Sequence, residues 1–166
     1  PADQVTVLHE DARMALRNTL TRYDVILGDA FTDIAVPEHL ITQEFFELVA
    51  SRLTDGGVFA MNLIDNVDRM DALAAMIVTL QAVFPSVEVW TEARGPSQGE
   101  RRIFVLLCSE TPSPVTRLTA GSPDPMIFQL LDDAFVVQIV ADKQPRVLTD
   151  DYAPISALIG FEPILN

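Results

Sequence analysis

Residues 23–57 read YDVILGDAFTDIAVPEHLITQEFFELVASRLTDGG, and this stretch decides the fold. Tyr23–Gly28 is a short apolar run bounded by turn residues, the pattern of a buried parallel strand, and it delivers Asp29 where that strand should end. An irregular connection through Asp33 and Pro37 leads to a helix with Thr42 as its expected cap. Phe45, Leu48, Val49 and Leu53 recur at helical spacing, and Gly56 and Gly57 are expected to close the helix before the next apolar run, VFAMNLI. A strand, helix, strand unit of this kind joins parallel strands by a right-handed crossover, and open sheets built from it bind ligands beyond the carboxyl ends of their strands. Asp29 is therefore the first candidate functional residue; the competing reading is an Asp that bonds its own backbone in the loop.

Working outward, residues 4–10, QVTVLHE, alternate as a strand would and end in the acidic pair Glu10–Asp11, expected at the same sheet edge as Asp29. A helix is predicted over 13–20, with Leu16 and Leu20 on one face, and His9 reads as structural rather than as a base or ligand. Downstream, the apolar spacing predicts a long amphipathic helix over 66–84, with Asp65 or Asn66 as cap, Pro85 as stop and its methionines as core filler. Residues 86–92 and 101–109 read as antiparallel strands joined by the loop ARGPSQGE, a candidate cover for a ligand. Residues 111–125 read as a surface linker, 126–132 as a short helix, 134–141 as a strand, and the end, VLTDDYAPISALIG, as a turn and short helix.

The chain has 166 residues and is 49% hydrophobic, enough for one compact domain with a core. Its 24 acidic and 11 basic residues give a net charge of −13, which opposes nucleic acid and anionic membrane and favours cationic small molecules, though acidity also serves solubility. The single cysteine, Cys108, excludes an internal disulfide and reads as a buried, inert thiol in a reducing, cytoplasmic compartment. No apolar run approaches the roughly 18 residues of a membrane span, so no membrane contact is expected. The opening PADQ resembles no signal peptide and lacks an initiator methionine, as a processed or excised piece would. Two isolated histidines and one cysteine offer no metal-ligand spacing, and neither a GxSxG, a P-loop nor a kinase signature is present, which leaves carboxylate chemistry.

Four stretches in order, EDAR at 10–13, YDVILGDAF at 23–31, PEHLITQEFFELVASRLTDGGVFAMN at 37–62 and VLTDDYAP at 147–154, together resemble the spermidine synthase family of polyamine aminopropyltransferases. The likeness is to its bacterial spermidine synthase-like branch, some members of which are fused to membrane transporter domains. It implies an α/β, Rossmann-like S-adenosylmethionine-dependent methyltransferase fold. It further implies transfer of an aminopropyl group from decarboxylated S-adenosylmethionine to putrescine or a related amine, with no permanently bound cofactor and a homodimer as one assembly to test. By the resemblance, Asp11 and Ala12, with Glu10 beside them, would lie against the adenine, Asp29 would be the catalytic carboxylate, and Asp33 would bind the far end of the diamine. Asp150 and Asp151 match the family's tail, where surface turn chemistry explains them equally well.

The chain departs from the family pattern at several points. It starts at what resembles the family's third strand, so the family's glycine-rich loop and the acidic residue that would hold the ribose are not in it. Its paired serines after the catalytic Asp are replaced by Ala30, Phe31 and Thr32, and the tyrosine-bearing loop by ARGPSQGE. The implied organisation is a partial Rossmann-like domain over 1–110, a linker over 111–125 and an appendage over 126–166 packed on the same domain. In a sheet of order 3-2-1-4-5-7-6, residues 4–10 would be strand three and Tyr23–Gly28 strand four. The two strands between them would then come from residues before Pro1, or residues 4–10 would pair directly with Tyr23–Gly28. The rival functions are an S-adenosylmethionine-dependent methyltransferase, which would want less acidity than Asp29 and Asp33 provide, and a non-catalytic nucleoside- or polyamine-binding domain.

Overall fold

The computed structural model describes residues 5–30, 37–121, 123 and 125–160. Its centre is the predicted unit: strand β1 (Tyr23–Gly28), a 3-10 turn (Glu38–Leu40), helix α2 (Gln43–Ser51) and strand β2 (Leu53–Asn66), with β1 and β2 parallel. Thr42 caps α2 as expected, its Oγ1 accepting from the Phe45 amide, and the helix buries Phe45, Phe46 and Val49. The helix stops earlier than its apolar spacing predicts, at Ser51, and Leu53 already pairs with Tyr23. Gly56 and Gly57 instead shape an irregularity in β2, where the partner of β1 jumps from Leu53 to Val58. The bulge demands glycine twice: Gly56 has φ +75°, and a Cβ on Gly57 would lie 2.9 Å from the Thr54 carbonyl oxygen.

The remaining strands are β3 (Ser86–Glu92), β4 (Arg101–Ser109), β5 (Arg117–Ala120) and β6 (Met126–Leu130), in the sheet order β1-β2-β4-β3-β6-β5. β4 runs antiparallel between β2 and β3, so β1-β2-β4-β3 reproduces the 4-5-7-6 part of the expected order. Phe59, Met61 and Leu63 of β2 pair with Cys108, Leu106 and Phe104 of β4, and all six side chains are buried in one core with α2 and helix α3 (Asp71–Gln81). Burial pushes the Cys108 thiol well above its ordinary pKa, consistent with an inert core residue.

α3 is shorter than the predicted 66–84 and is buried on nearly every side, because Leu148 and Ile155 of the C-terminal segment close over it. Met70, at φ 52°, holds its N-cap position without a side-chain bond. The capping falls to Asp65 at the end of β2, whose buried carboxylate accepts from the Leu73 amide at 2.9 Å and from that of Asn66 at 2.7 Å. Desolvation raises the pKa of this carboxyl, against the pull of those amides.

Four local expectations are corrected. Among the described residues, 5–10 join no strand, and Val5, Val7 and Leu8 stand 73, 68 and 63% exposed. Alternation alone does not make a strand where no partner takes up the backbone groups. Residues 126–130 form β6 rather than a helix, satisfying the open edge of β3 from Trp90 to Glu92, and the expected linker contains β5, paired with β6. Residues 133–143 form helix α4 (Asp133–Lys143) rather than a strand: Asp132 caps it, and Val136, Ile139 and Val140 meet the core at helical spacing, so packing overrides the preference of its β-branched residues. The end follows its prediction, with a Thr149–Tyr152 bridge and helix α5 (Ile155–Ile159).

Candidate active site

The carboxyl end of β1 places Asp29 next to β2. Gly28 pairs with Met61, where a Cβ on Gly28 would come within 3.2 Å of the Met61 Cβ, so the two strands approach closely at this point. Beside them Asn62 Nδ2 donates to Asp29 Oδ1 at 2.9 Å. Asn62 Oδ1 is buried and has no partner among the described residues. Asp33 lies outside the described residues.

Helix α1 (Ala12–Asn18) begins across a cleft of ≈ 480 Å³ from this strand end, a cleft lined by Ala12, Leu16, Asp29, Pro37, Phe45 and Met61 among others. Its size falls in the range of small-molecule sites, and its walls are mostly apolar with few polar groups, as such sites are. Ala12 and Asp29 therefore line one cavity. Glu10 is exposed in the segment before α1.

Asp11 caps α1, Oδ1 accepting from the Met14 amide at 3.0 Å, while its Oδ2 lies 2.6 Å from His39 Nε2. The bond to His39, then that to Met14, holds the Asp11 carboxyl below the usual carboxylate range. Next to it Arg13 forms a bidentate pair with Asp150, at 2.7 and 2.6 Å, and donates to the His39 carbonyl at 3.1 Å. Asp150 also accepts from Thr42 Oγ1 at 2.7 Å, and its own amide donates to Glu44. The bond from Arg13 is the main cause of a lowered Asp150 pKa, and Asp150 in turn raises that of Arg13. Residues 11, 13, 39, 42, 44 and 150 thus form one polar clamp that fixes the start of α1 against the start of α2.

The clamp was only half visible in the sequence. EDAR, PEH and TDDY stand in it as motifs, but nothing in the spacing pairs Arg13 with Asp150, 137 residues away, or Asp11 with His39, 28 away. The clamp gives Asp150 a definite structural partner where the sequence left a turn or a binding role. Asn62 was also missed, because it interrupts the apolar run VFAMNLI inside β2 instead of ending it, and so lacks the strand-end signal that singled out Asp29. The loop ARGPSQGE is braced rather than open: Arg102 donates to the Arg94 and Gly95 carbonyls at 2.9 and 3.1 Å, and the Gly99 amide donates to Asp68 at 2.7 Å. His9 is exposed. Among the described residues no three His, Cys, Asp or Glu side chains are grouped to hold a metal ion, and no helix is long and apolar enough to cross a membrane.

Comparison with known proteins bears on this site. The spermine/spermidine synthase domain model matches residues 2–117. A Bifidobacterium longum protein described as a probable polyamine aminopropyl transferase is 28% identical over 173 residues, covering 95% of this chain and 39% of that protein. The N-terminal histidine N-methyltransferase of Emericella nidulans is 30% identical over 112 residues, covering 64% of this chain and 20% of that protein. The crystal structure of a probable spermidine synthase from Corynebacterium glutamicum matches with a TM-score of 0.64 at 23% identity, over 83% of this chain and 52% of that one. The chain thus spans between a fifth and about half the length of these proteins. The structural likeness establishes the Rossmann-like fold that they share.

Proposed function

We propose, from the premise that this chain belongs to the spermine/spermidine synthase family of transferases, that it contributes residues to both the acceptor side and the adenine side of an aminopropyl-transfer site. The donor in this reading is decarboxylated S-adenosylmethionine and the acceptor a small amine such as putrescine. The observation that carries it is the Asp29 carboxylate at the carboxyl end of β1, lining a mostly apolar cleft that also takes in Ala12, next to Asp11. An ammonium ion has no lone pair and must lose a proton before it attacks. A carboxylate at the strand end attracts the cation and accepts or relays that proton. The amine nitrogen then forms a bond to the aminopropyl carbon attached to sulfur, the C–S bond breaks, and its electron pair stays on sulfur. That step turns the sulfonium into neutral methylthioadenosine, so the leaving group needs no acid. Asp11, with Glu10 and Ala12 beside it, takes the adenine in this reading, Asp11 accepting from the exocyclic amine, and Asp33 the far end of a diamine.

Asp29→Asn, made in the full-length protein, is expected to lower turnover by about 100-fold or more while leaving the melting temperature nearly unchanged. Wild-type turnover in that variant would remove Asp29 from the mechanism. A second reading, methyl transfer from S-adenosylmethionine, is favoured by the likeness to the histidine N-methyltransferase. Paired assays with the two sulfonium donors separate them: formation of methylthioadenosine supports the first and S-adenosylhomocysteine the second.

A further inference from the structure

We infer that Asn62 is a positioning residue for Asp29, an inference that rests on the proposed role of Asp29 at the amine. The β1–β2 register sets Gly28 opposite Met61, so the residues that follow them, Asp29 just past the end of β1 and Asn62 still inside β2, lie side by side. Asn62 Nδ2 donates to Asp29 Oδ1 at 2.9 Å. Among the described residues that contact orients the amide, because the flipped rotamer would set its carbonyl oxygen against a carboxylate oxygen. Its own Oδ1 stays buried with no partner among the described residues, a stability penalty that a purely structural strand position would shed for an apolar side chain. The bond engages one carboxylate oxygen and fixes the plane of the group, leaving Oδ2 as the oxygen that receives the proton from the attacking amine.

The test uses Asn62→Leu and Asn62→Asp in the full-length protein, beside Asp29→Asn, with kcat, KM and the pH profile of kcat/KM measured for each. Asn62→Leu should lower kcat about 10- to 100-fold with the donor KM unchanged, the scale of a misplaced catalytic group. Asn62→Asp should move the acidic limb to higher pH, because two carboxylates at hydrogen-bond distance oppose each other's ionisation. A simple tie between β2 and the end of β1 would change the melting temperature and leave the acidic limb in place. If Asp29→Asn is inactive while both Asn62 variants keep the wild-type kcat and limb, the inference fails and the reading of Asp29 stands. If Asp29→Asn turns over normally, or the wild-type protein transfers no aminopropyl group, that reading fails and the inference with it. Loss of fold in both Asn62 variants assigns the residue to the sheet alone and overturns the inference.

Discussion

Asp11 illustrates how one carboxylate serves two ends. One oxygen caps α1 and the other bonds His39, yet the side chain remains 39% exposed, and a carboxylate has acceptor capacity beyond those two bonds. If it also accepts from the adenine amine, Asp11→Ala should weaken methylthioadenosine binding by roughly 1.5 to 3 kcal/mol, the scale of a hydrogen bond to a charged group. The acceptor constant should change little. Asp11→Asn keeps a capping oxygen and so separates helix loss from ligand loss. Calorimetry giving equal nucleoside affinity for wild type and Asp11→Ala would refute the adenine assignment. At this scale the sequence singled out Asp29 and Asp11 through the ends of predicted elements, whereas His39 and Asn62 emerged only when the chain closed on itself.

Among the elements, the β3–β4 loop is held by charge. Glu100 accepts from Arg94, the Ser97 amide and Arg102, and the first of these does most to hold its carboxyl down from the ordinary 4.5 to about 2. A depressed carboxyl stabilises the fold in its ionised state, so this contribution is present above pH 4.5 and is lost as pH falls through about 2. The melting-temperature gap between wild type and Glu100→Gln should therefore narrow steadily on acidification across that window. A gap that stays constant between those limits would show that the Arg94 and Arg102 pairs do not hold the loop. Arg102 is 6% and Glu100 13% exposed, and Arg102 also donates to the Arg94 and Gly95 carbonyls, so the effect belongs mainly to the loop.

For the molecule as a whole, the outer edge of β1 pairs with nothing among the described residues, and Val25 and Leu27 are 57 and 74% exposed there. An unpaired apolar edge is a template for association, opposed here by the repulsion of a net charge of −13. The 166-residue chain by itself is expected to associate in a concentration-dependent way that strengthens with salt, as screening removes the repulsion. Sedimentation should detect this, and Leu27→Lys should return the chain toward monomer. A wild-type chain that stays monomeric across concentration and ionic strength would show that the edge is not sticky.

The sequence by itself determined the β1–α2–β2 unit, the β3–β4 hairpin, the cap at Thr42 and the place of Asp29, because each depends on periodicity and turn chemistry within a few residues. It failed where the decision lay with a distant partner. Residues 5–10 alternate correctly yet pair with no strand among the described residues, 126–130 became a strand because β3 had an edge to satisfy, and 133–143 became a helix because Val136, Ile139 and Val140 had a core to meet. The joining of Arg13 to Asp150 across 137 residues, and of Asn62 to Asp29 across 33, was likewise decided only by the tertiary structure. Local propensities differ by about 1 kcal/mol or less per residue, and burial of one apolar side chain or one unpaired backbone group outweighs them.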